Sequence, residues 1–285
     1  MAKIKVVTDS SVQLTPEEID KYNITVVPLT ITIDGQTYTD GVDISREEFV
    51  KKMDESKELP KTSQPSIGVF EKVFRELTED GSQVVGIFLA RSLSGTIEAA
   101  RQAADLIGKS DQIGLVDSEL TDRAEAYQVL AAAKDAQEGK SLEEILAHIE
   151  KLKQNQKLRM IVVNLDNLIK GGRLGSVAGK IATLLNIRIE LHMPDGNLDV
   201  AKKGRGKKFS KNFDKRILKY VEEHKHELKE VSISYVDTLE DMQALGEKIK
   251  EINPDIKVLI RVTSPIIATH AGSGAYAVFY TTEDY

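Results

Sequence analysis

Hydroxyls gather at two points in the chain, Thr62-Ser63-Gln64-Pro65-Ser66 and Ser92-Leu93-Ser94-Gly95-Thr96. Each cluster falls where a loop opens a helix, so side-chain hydroxyls and unpaired backbone N–H groups converge on whatever binds there. Such donors suit an anion, either a carboxylate or a phosphate. They are also neutral, so they hold an anion reversibly, whereas an arginine would grip it through a bidentate fork. With no cysteine and five histidines, the chain reads as a binder before it reads as a breaker of bonds. The plain alternative is that Thr62 or Ser66 merely starts the next helix.

Other stretches carry weaker signals. In open α/β sheets ligands bind outside the carboxyl ends of the strands. Thr8-Asp9-Ser10-Ser11, Ser92–Ser94 and Asp117-Ser118 all follow predicted strands, and together they are expected to form one wall of a pocket. Taken singly, each is more often a set of helix caps. Lys170-Gly171-Gly172-Arg173-Leu174-Gly175 lacks the spacing of a Walker A loop and reads equally well as a turn with solvated charges. Lys202-Lys203-Gly204-Arg205-Gly206-Lys207-Lys208 reads as a solvated loop, or as a dock for an acidic or phosphate-bearing partner. His270-Ala271-Gly272-Ser273-Gly274 puts an imidazole beside glycines that let a ligand approach. His148, His192, His224, His226 and His270 show no metal-ligand spacing, so no metal site is expected. A serine hydrolase using Ser94 and His270 is conceivable, but the Ser94 segment is not a GxSxG elbow.

The elements that position these residues follow from periodicity. Ile4–Val7 and Val84–Leu89 are short apolar strands of the kind buried in a parallel sheet. Ile24–Leu29 and Ile113–Val116 are expected beside them. Helices are expected from Thr15-Pro16-Glu17-Glu18, over Ser66–Leu77, over Thr96–Ile107, to about Glu138, and from the capping box Ser141-Leu142-Glu143-Glu144. Strand and helix alternate, which implies a parallel sheet covered on both faces. The second half differs. Strands at Met160–Val163, Ile187–His192, Leu198–Ala201, Val231–Val236, Ile256–Val262 and Ala275–Tyr280, with helices near Phe213–His224 and Leu239–Ile252, imply a mixed sheet. The turn Pro194-Asp195-Gly196-Asn197 joins two of these strands as a hairpin. The expected fold class is α/β in two domains, an N-terminal parallel-sheet α/β/α domain at 1–157 and a C-terminal mixed-sheet domain at 158–285, with the ligand between them.

Composition bounds the rest. The 285 residues are 41% hydrophobic and 29% charged, with a net charge of -6, which fits a soluble globular protein and disfavours a general nucleic-acid binder. The absence of cysteine excludes a disulfide framework and fits a cytoplasmic location. No apolar run approaches the roughly 20 residues needed to span a bilayer, and the start turns polar too soon for a signal peptide.

Taken in order, Thr8-Asp9-Ser10-Ser11, Asp40-Gly41-Val42-Asp43, Thr62-Ser63-Gln64-Pro65-Ser66, Ser94-Gly95-Thr96, Asp117-Ser118, Lys170-Gly171-Gly172-Arg173 and His270-Ala271-Gly272-Ser273-Gly274-Ala275 resemble the DegV family of bacterial fatty-acid-binding proteins, which includes the FakB carriers. The resemblance covers essentially the whole chain. It implies one long-chain fatty acid buried between two domains, with the carboxylate on Thr62 and Ser94, His270 nearby, and Ser63, Gly95 and Thr96 supporting the pocket. It further implies a carrier without catalysis or cofactor of its own. A separate cytoplasmic fatty-acid kinase would convert the held lipid to acyl phosphate, docking near Arg173 and at Lys202 or Arg205, with transient contact with a membrane. The chain departs from the family pattern at Arg123, Ala124 and Ala126, at Ile187-Arg188-Ile189-Glu190, and at Ala271 and Ser273. The first group is expected to reshape the acyl tunnel. A small phosphotransferase using Gly171-Gly172-Arg173, or another enzyme that binds a small anion, remains the alternative.

Overall fold

Capping chemistry opens the helices where the sequence places them. Thr15 accepts from the Glu18 amide and Glu18 answers to the Thr15 amide, with Pro16 in the first turn. Ser141 and Glu144 repeat the box. A third box, Ser45 with Glu48, has the same signature and starts a helix absent from the sequence reading. The computed structural model describes residues 3–174 and 187–283.

The first half runs β1 (Ile4–Asp9), α1 (Pro16–Tyr22), β2 (Thr25–Val27), β3 (Thr30–Ile33), β4 (Gln36–Thr39), α2 (Arg46–Glu55), β5 (Lys61–Ser63), α3 (Ile67–Thr78), β6 (Gln83–Phe88), α4 (Thr96–Leu106), β7 (Ile113–Asp117), α5 (Asp122–Gln137) and α6 (Leu142–Asn155). The second half runs β8 (Lys157–Val162), α7 (Asp166–Lys170), β9 (Ile187–His192), β10 (Asp199–Arg205), α8 (Gly206–His224), β11 (Glu230–Tyr235), α9 (Leu239–Ile252), β12 (Lys257–Val262), α10 (Pro265–Ala271) and β13 (Tyr276–Thr281).

The first sheet is parallel, in the order β2-β1-β6-β7. Side chains alternate across it, as the pleat requires. Val6, Val85 and Ile87 pack toward α5 and α6 with Val129, Leu130 and Ile145. Val7, Val84 and Phe88 point the other way, against Phe70 and Phe74 of α3 and Ile97 of α4. Burial on both faces explains why these strands read as continuous apolar runs rather than as alternating ones.

The second sheet is mixed, in the order β10-β9-β8-β13-β11-β12, with only β11 and β12 parallel among the described pairs. Phe213, Ile217 and Val221 of α8, and Met242, Leu245 and Ile249 of α9, cover one face. The other face is covered partly by the chain's first half. The small antiparallel sheet β4-β3-β5 and α2 contribute Ile31, Ile33, Phe49 and Met53 to one core with Val162, Ile189 and Leu191. The second sheet thus begins at Lys157, but residues 29–53 share its core.

α5 pins the halves together. Asp122 receives the Ser234 and Thr263 hydroxyls, each at 2.5 Å. The fully buried Arg123 meets Glu18 at 2.7 and 2.8 Å and Glu230 at 2.7 and 3.1 Å. This corrects the expectation that Arg123 reshapes a tunnel: its guanidinium is engaged as an ion-pair clamp. Ala124 and Ala126 are buried in packing contacts, Ala124 beside Tyr127 and Phe279, Ala126 under the parallel sheet.

The basic stretch from Lys202 is likewise no loop. Lys202, Lys203 and Arg205 belong to β10, an edge strand paired with β9, and α8 begins at Gly206. Edge strands commonly carry lysines, which discourage further pairing.

Candidate functional site

A cavity of about 330 Å3 lies between the two halves. Leu29, Leu89, Leu93, Leu158, Met160, Leu168, Met193, Leu198, Ile266 and Ile267 make most of its wall apolar. Its polar lining comes from Thr62, Ser63, Gln64, Ser94, Thr121, Arg173 and His270. A compartment whose wall is mostly apolar but carries a set of polar groups fits an amphiphile.

Each polar residue is delivered by a different element. Thr62 sits in β5 opposite Ile31 of β3. Ser94 lies just before α4, whose N-cap is Gly95, and its hydroxyl pairs with Thr96 Oγ1 at 2.9 Å. Thr96 is buried, so it orients Ser94 without reaching the cavity wall itself. His270 is in the last turn of α10, and its Nε2 lies 3.0 Å from Thr62 Oγ1. Its Nδ1 is buried without a partner. Burial, with the Arg173 charge adding to it, lowers the ring's pKa to about 4, so the imidazole is neutral near pH 7.

Two glycines allow the loops to close on each other. A Cβ on Gly95 would stand 2.5 Å from Gln64 Oε1, so the two hydroxyl motifs touch there. A Cβ on Gly171 would stand 2.5 Å from His270 Nδ1 and 2.7 Å from the Asn167 carbonyl. Arg173 completes the join: its Nε donates to the Leu93 carbonyl at 3.3 Å and its Nη1 to the Gly171 carbonyl at 2.6 Å. Arg173 therefore lines the cavity as well as bearing charge, a role the sequence reading did not assign it. Gly175, at the end of that motif, lies outside the described residues.

The strand-end loops divide. The Ser92–Ser94 loop reaches the cavity through Leu93 and Ser94, but Thr8–Ser11 and Asp117-Ser118 are not in its lining. Their polar groups are satisfied internally. Asp9 accepts the Ser11 and Leu89 amides, each at 2.9 Å. The hydroxyls of Thr8 and Ser11 go to Glu125, at 3.1 and 3.2 Å, and the Ser118 hydroxyl to the Leu120 carbonyl at 2.9 Å. Burial, reinforced by Asp9, raises the Glu125 pKa well above that of an ordinary carboxyl. Nor are Ser94 and His270 arranged as nucleophile and base, because one bonds Thr96 and the other Thr62. Lys202 and Arg205 are exposed on β10, away from the cavity lining. Among the described residues, no cluster of three or more His, Asp or Glu is placed to hold a metal ion, and no helix is long and apolar enough to cross a membrane.

The apolar lining escaped the sequence reading, since tunnel and core positions share one hydrophobic pattern. Gln64 was visible only as part of its motif.

A parallel sheet and a mixed sheet with a largely apolar cavity between the halves they anchor, its polar lining made by hydroxyls, Gln64, an uncharged imidazole and the Arg173 guanidinium, define an α/β protein built around an internal compartment. The chain belongs to the DegV family: the family described as "Uncharacterised protein, DegV family COG1307" matches residues 3–283. It is 44% identical over 281 residues to the DegV domain-containing protein spr1019 of Streptococcus pneumoniae, covering 98% of each. Its structure superposes with a TM-score of 0.89 on DegV, a fatty acid binding protein from Bacillus subtilis, at 26% identity, covering 98% of this chain and 99% of that one. The fatty acid binding DegV family protein SAG1342 from Streptococcus agalactiae matches with a TM-score of 0.87 at 27% identity over 100% of both chains.

Proposed function

We propose that this protein binds a long-chain fatty acid in the cavity, with its carboxylate on Thr62 and Ser94 beside His270, and presents it to a partner fatty-acid kinase for acyl-phosphate formation. The carrying observation is the compartment itself, apolar along most of its wall and bearing Thr62, Ser94 and His270 among its few polar groups. The tail supplies most of the affinity, at about 0.8 kcal/mol per buried methylene. The head group needs donors: in the tautomer with its proton on Nε2, His270 donates to Thr62 Oγ1, which leaves the Thr62 hydroxyl proton free for the carboxylate. A neutral ring suits this relay.

Presentation rests on a second opening. An outer cavity shares Thr62, Arg173 and His270 with the inner one and is lined by Lys57, Lys61 and Lys170 against the single acid Glu58. The carboxylate end thus faces a basic vestibule, the side from which a phosphoryl donor arrives. Arg173 at that mouth, with Lys202 and Arg205 on the exposed edge strand, is assigned to docking the kinase. No cofactor is needed for holding the lipid.

The test is extraction of the purified protein into organic solvent, with lipid identified by mass spectrometry and counted per mole of protein. Near-stoichiometric fatty acid supports the reading and names the chain. A protein that is empty and takes up no added fatty acid overturns it.

A further inference from the structure

A separate cavity of about 740 Å3 lies between α8 and α9 and shares no lining residue with the fatty-acid site. Lys207, Lys211 and Lys215 of α8 line it at successive helical turns, joined by Arg188 from β9 and Lys248 from α9. This is where the chain concentrates positive charge. Between 202 and 219 there are nine Lys or Arg and one Asp, in a chain whose net charge is -6.

Like charges one turn apart on a helix repel. Elsewhere the protein answers helical cations with nearby glutamates, as in Lys72–Glu76, Arg101–Glu98, Lys153–Glu150 and Lys225–Glu222. Among the described residues, Lys207, Lys211, Lys215, Lys248 and Arg188 have no such ion pair. The acids in the wall are Asp214, which receives the Tyr276 hydroxyl at 2.5 Å, and the exposed Asp241. Thr238 adds a buried hydroxyl without a partner. The floor is apolar, made by Leu218, Met242, Leu245 and Tyr276.

We propose that this groove binds a small organic phosphate: a molecule with one or two phosphate groups for the lysine stripe and an apolar or aromatic body for the floor. A phospholipid headgroup offers the same phosphate, but the apolar surface here lies at the bottom of a charged rim. The apolar residues of the floor line a recess among charged ones rather than a protruding surface that a flat bilayer could meet, so a free molecule is the occupant. The site stands independently of the fatty-acid reading.

Calorimetric titration of the purified protein with ADP, pyrophosphate and adenosine, beside vesicles of phosphatidylglycerol, tests it. ADP is expected to bind saturably, with pyrophosphate weaker. K211E/K215E is expected to lower ADP affinity at least about tenfold while leaving thermal stability and lipid content unchanged. The same charge change on α3, K72E/R75E, is expected to have no effect. Binding of neither ADP nor pyrophosphate, equal loss in the α3 control, or binding to vesicles alone overturns the proposal.

Discussion

Thr62 Oγ1 and His270 Nε2 lie 3.0 Å apart although 208 positions separate them in the chain. The hydroxyl assigned to the carboxylate is therefore held by a ring that burial keeps uncharged. An imidazolium here would add a full charge to the site and tighten the grip on an anion. A neutral one orients the threonine and leaves the hold reversible.

Removing the hydroxyls tests the head-group assignment. Each hydrogen bond to a charged carboxylate contributes about 1.5–3 kcal/mol, so Thr62→Ala or Ser94→Ala should weaken fatty-acid binding roughly tenfold to a hundredfold. The double variant should purify nearly free of lipid by mass spectrometry. Full retention of lipid in the double variant removes both residues from the site.

The buried histidine predicts a pH dependence. Its folded pKa of about 4 lies below the ordinary 6.5, so the unfolded chain takes up the proton first as pH falls. The stability from a neutral His270 is complete above about pH 6.5 and is lost between there and about pH 4. Thermal unfolding across that window should show a steeper decline for the natural protein than for His270→Gln. Identical slopes would contradict a buried, neutral ring.

Gly171 is expected to be intolerant of a side chain. A methyl group there meets His270 Nδ1 at 2.5 Å and the Asn167 carbonyl at 2.7 Å, and the backbone atom cannot swing away. Gly171→Ala should cost about 1–3 kcal/mol of stability and displace His270. Reduced lipid retention alongside a lowered Tm is the expected pair of readouts. An unchanged Tm means that the loop has room.

The clamp between the halves carries its own prediction. Arg123 is fully buried between Glu18 and Glu230, and Lys257 reaches Glu230 at 2.7 Å. Breaking a buried pair by removing one partner costs about 3–5 kcal/mol, because the other charge is left without compensation. Arg123→Ala should lower the unfolding free energy by that amount, read as a fall in the denaturation midpoint at unchanged m-value. Adding Glu230→Gln should recover part of it, and an additive double variant would show that the two are not coupled.

Local signals read well in this chain. Thr15 and Ser141 each cap a helix within three residues of their partner glutamate, so near neighbours decide the outcome. The strand over Val84–Leu89 emerges as β6 because a strand buried on both faces is apolar throughout. The segment from Thr30 to Ser63 was not legible. Its strands are three or four residues long and mostly polar, and they form because Ile31 and Ile33 find a core supplied by the second half. Thr8–Ser11 misled for a related reason: polar residues at a strand end look alike whether they face a ligand or a buried Glu125.

The sequence by itself determined the alternation of strands and helices, their caps, and the hydroxyl motifs with their glycines, because these depend on residues a few positions apart. Tertiary structure decided which of those groups share a cavity. It brought His270 to Thr62, took Arg173 to the Leu93 carbonyl, turned Arg123 into a clamp between the two halves of the chain, and separated cavity wall from core. Those outcomes depend on contacts across a hundred or more residues, and hydrophobic periodicity does not record which buried face meets a partner and which meets an open space.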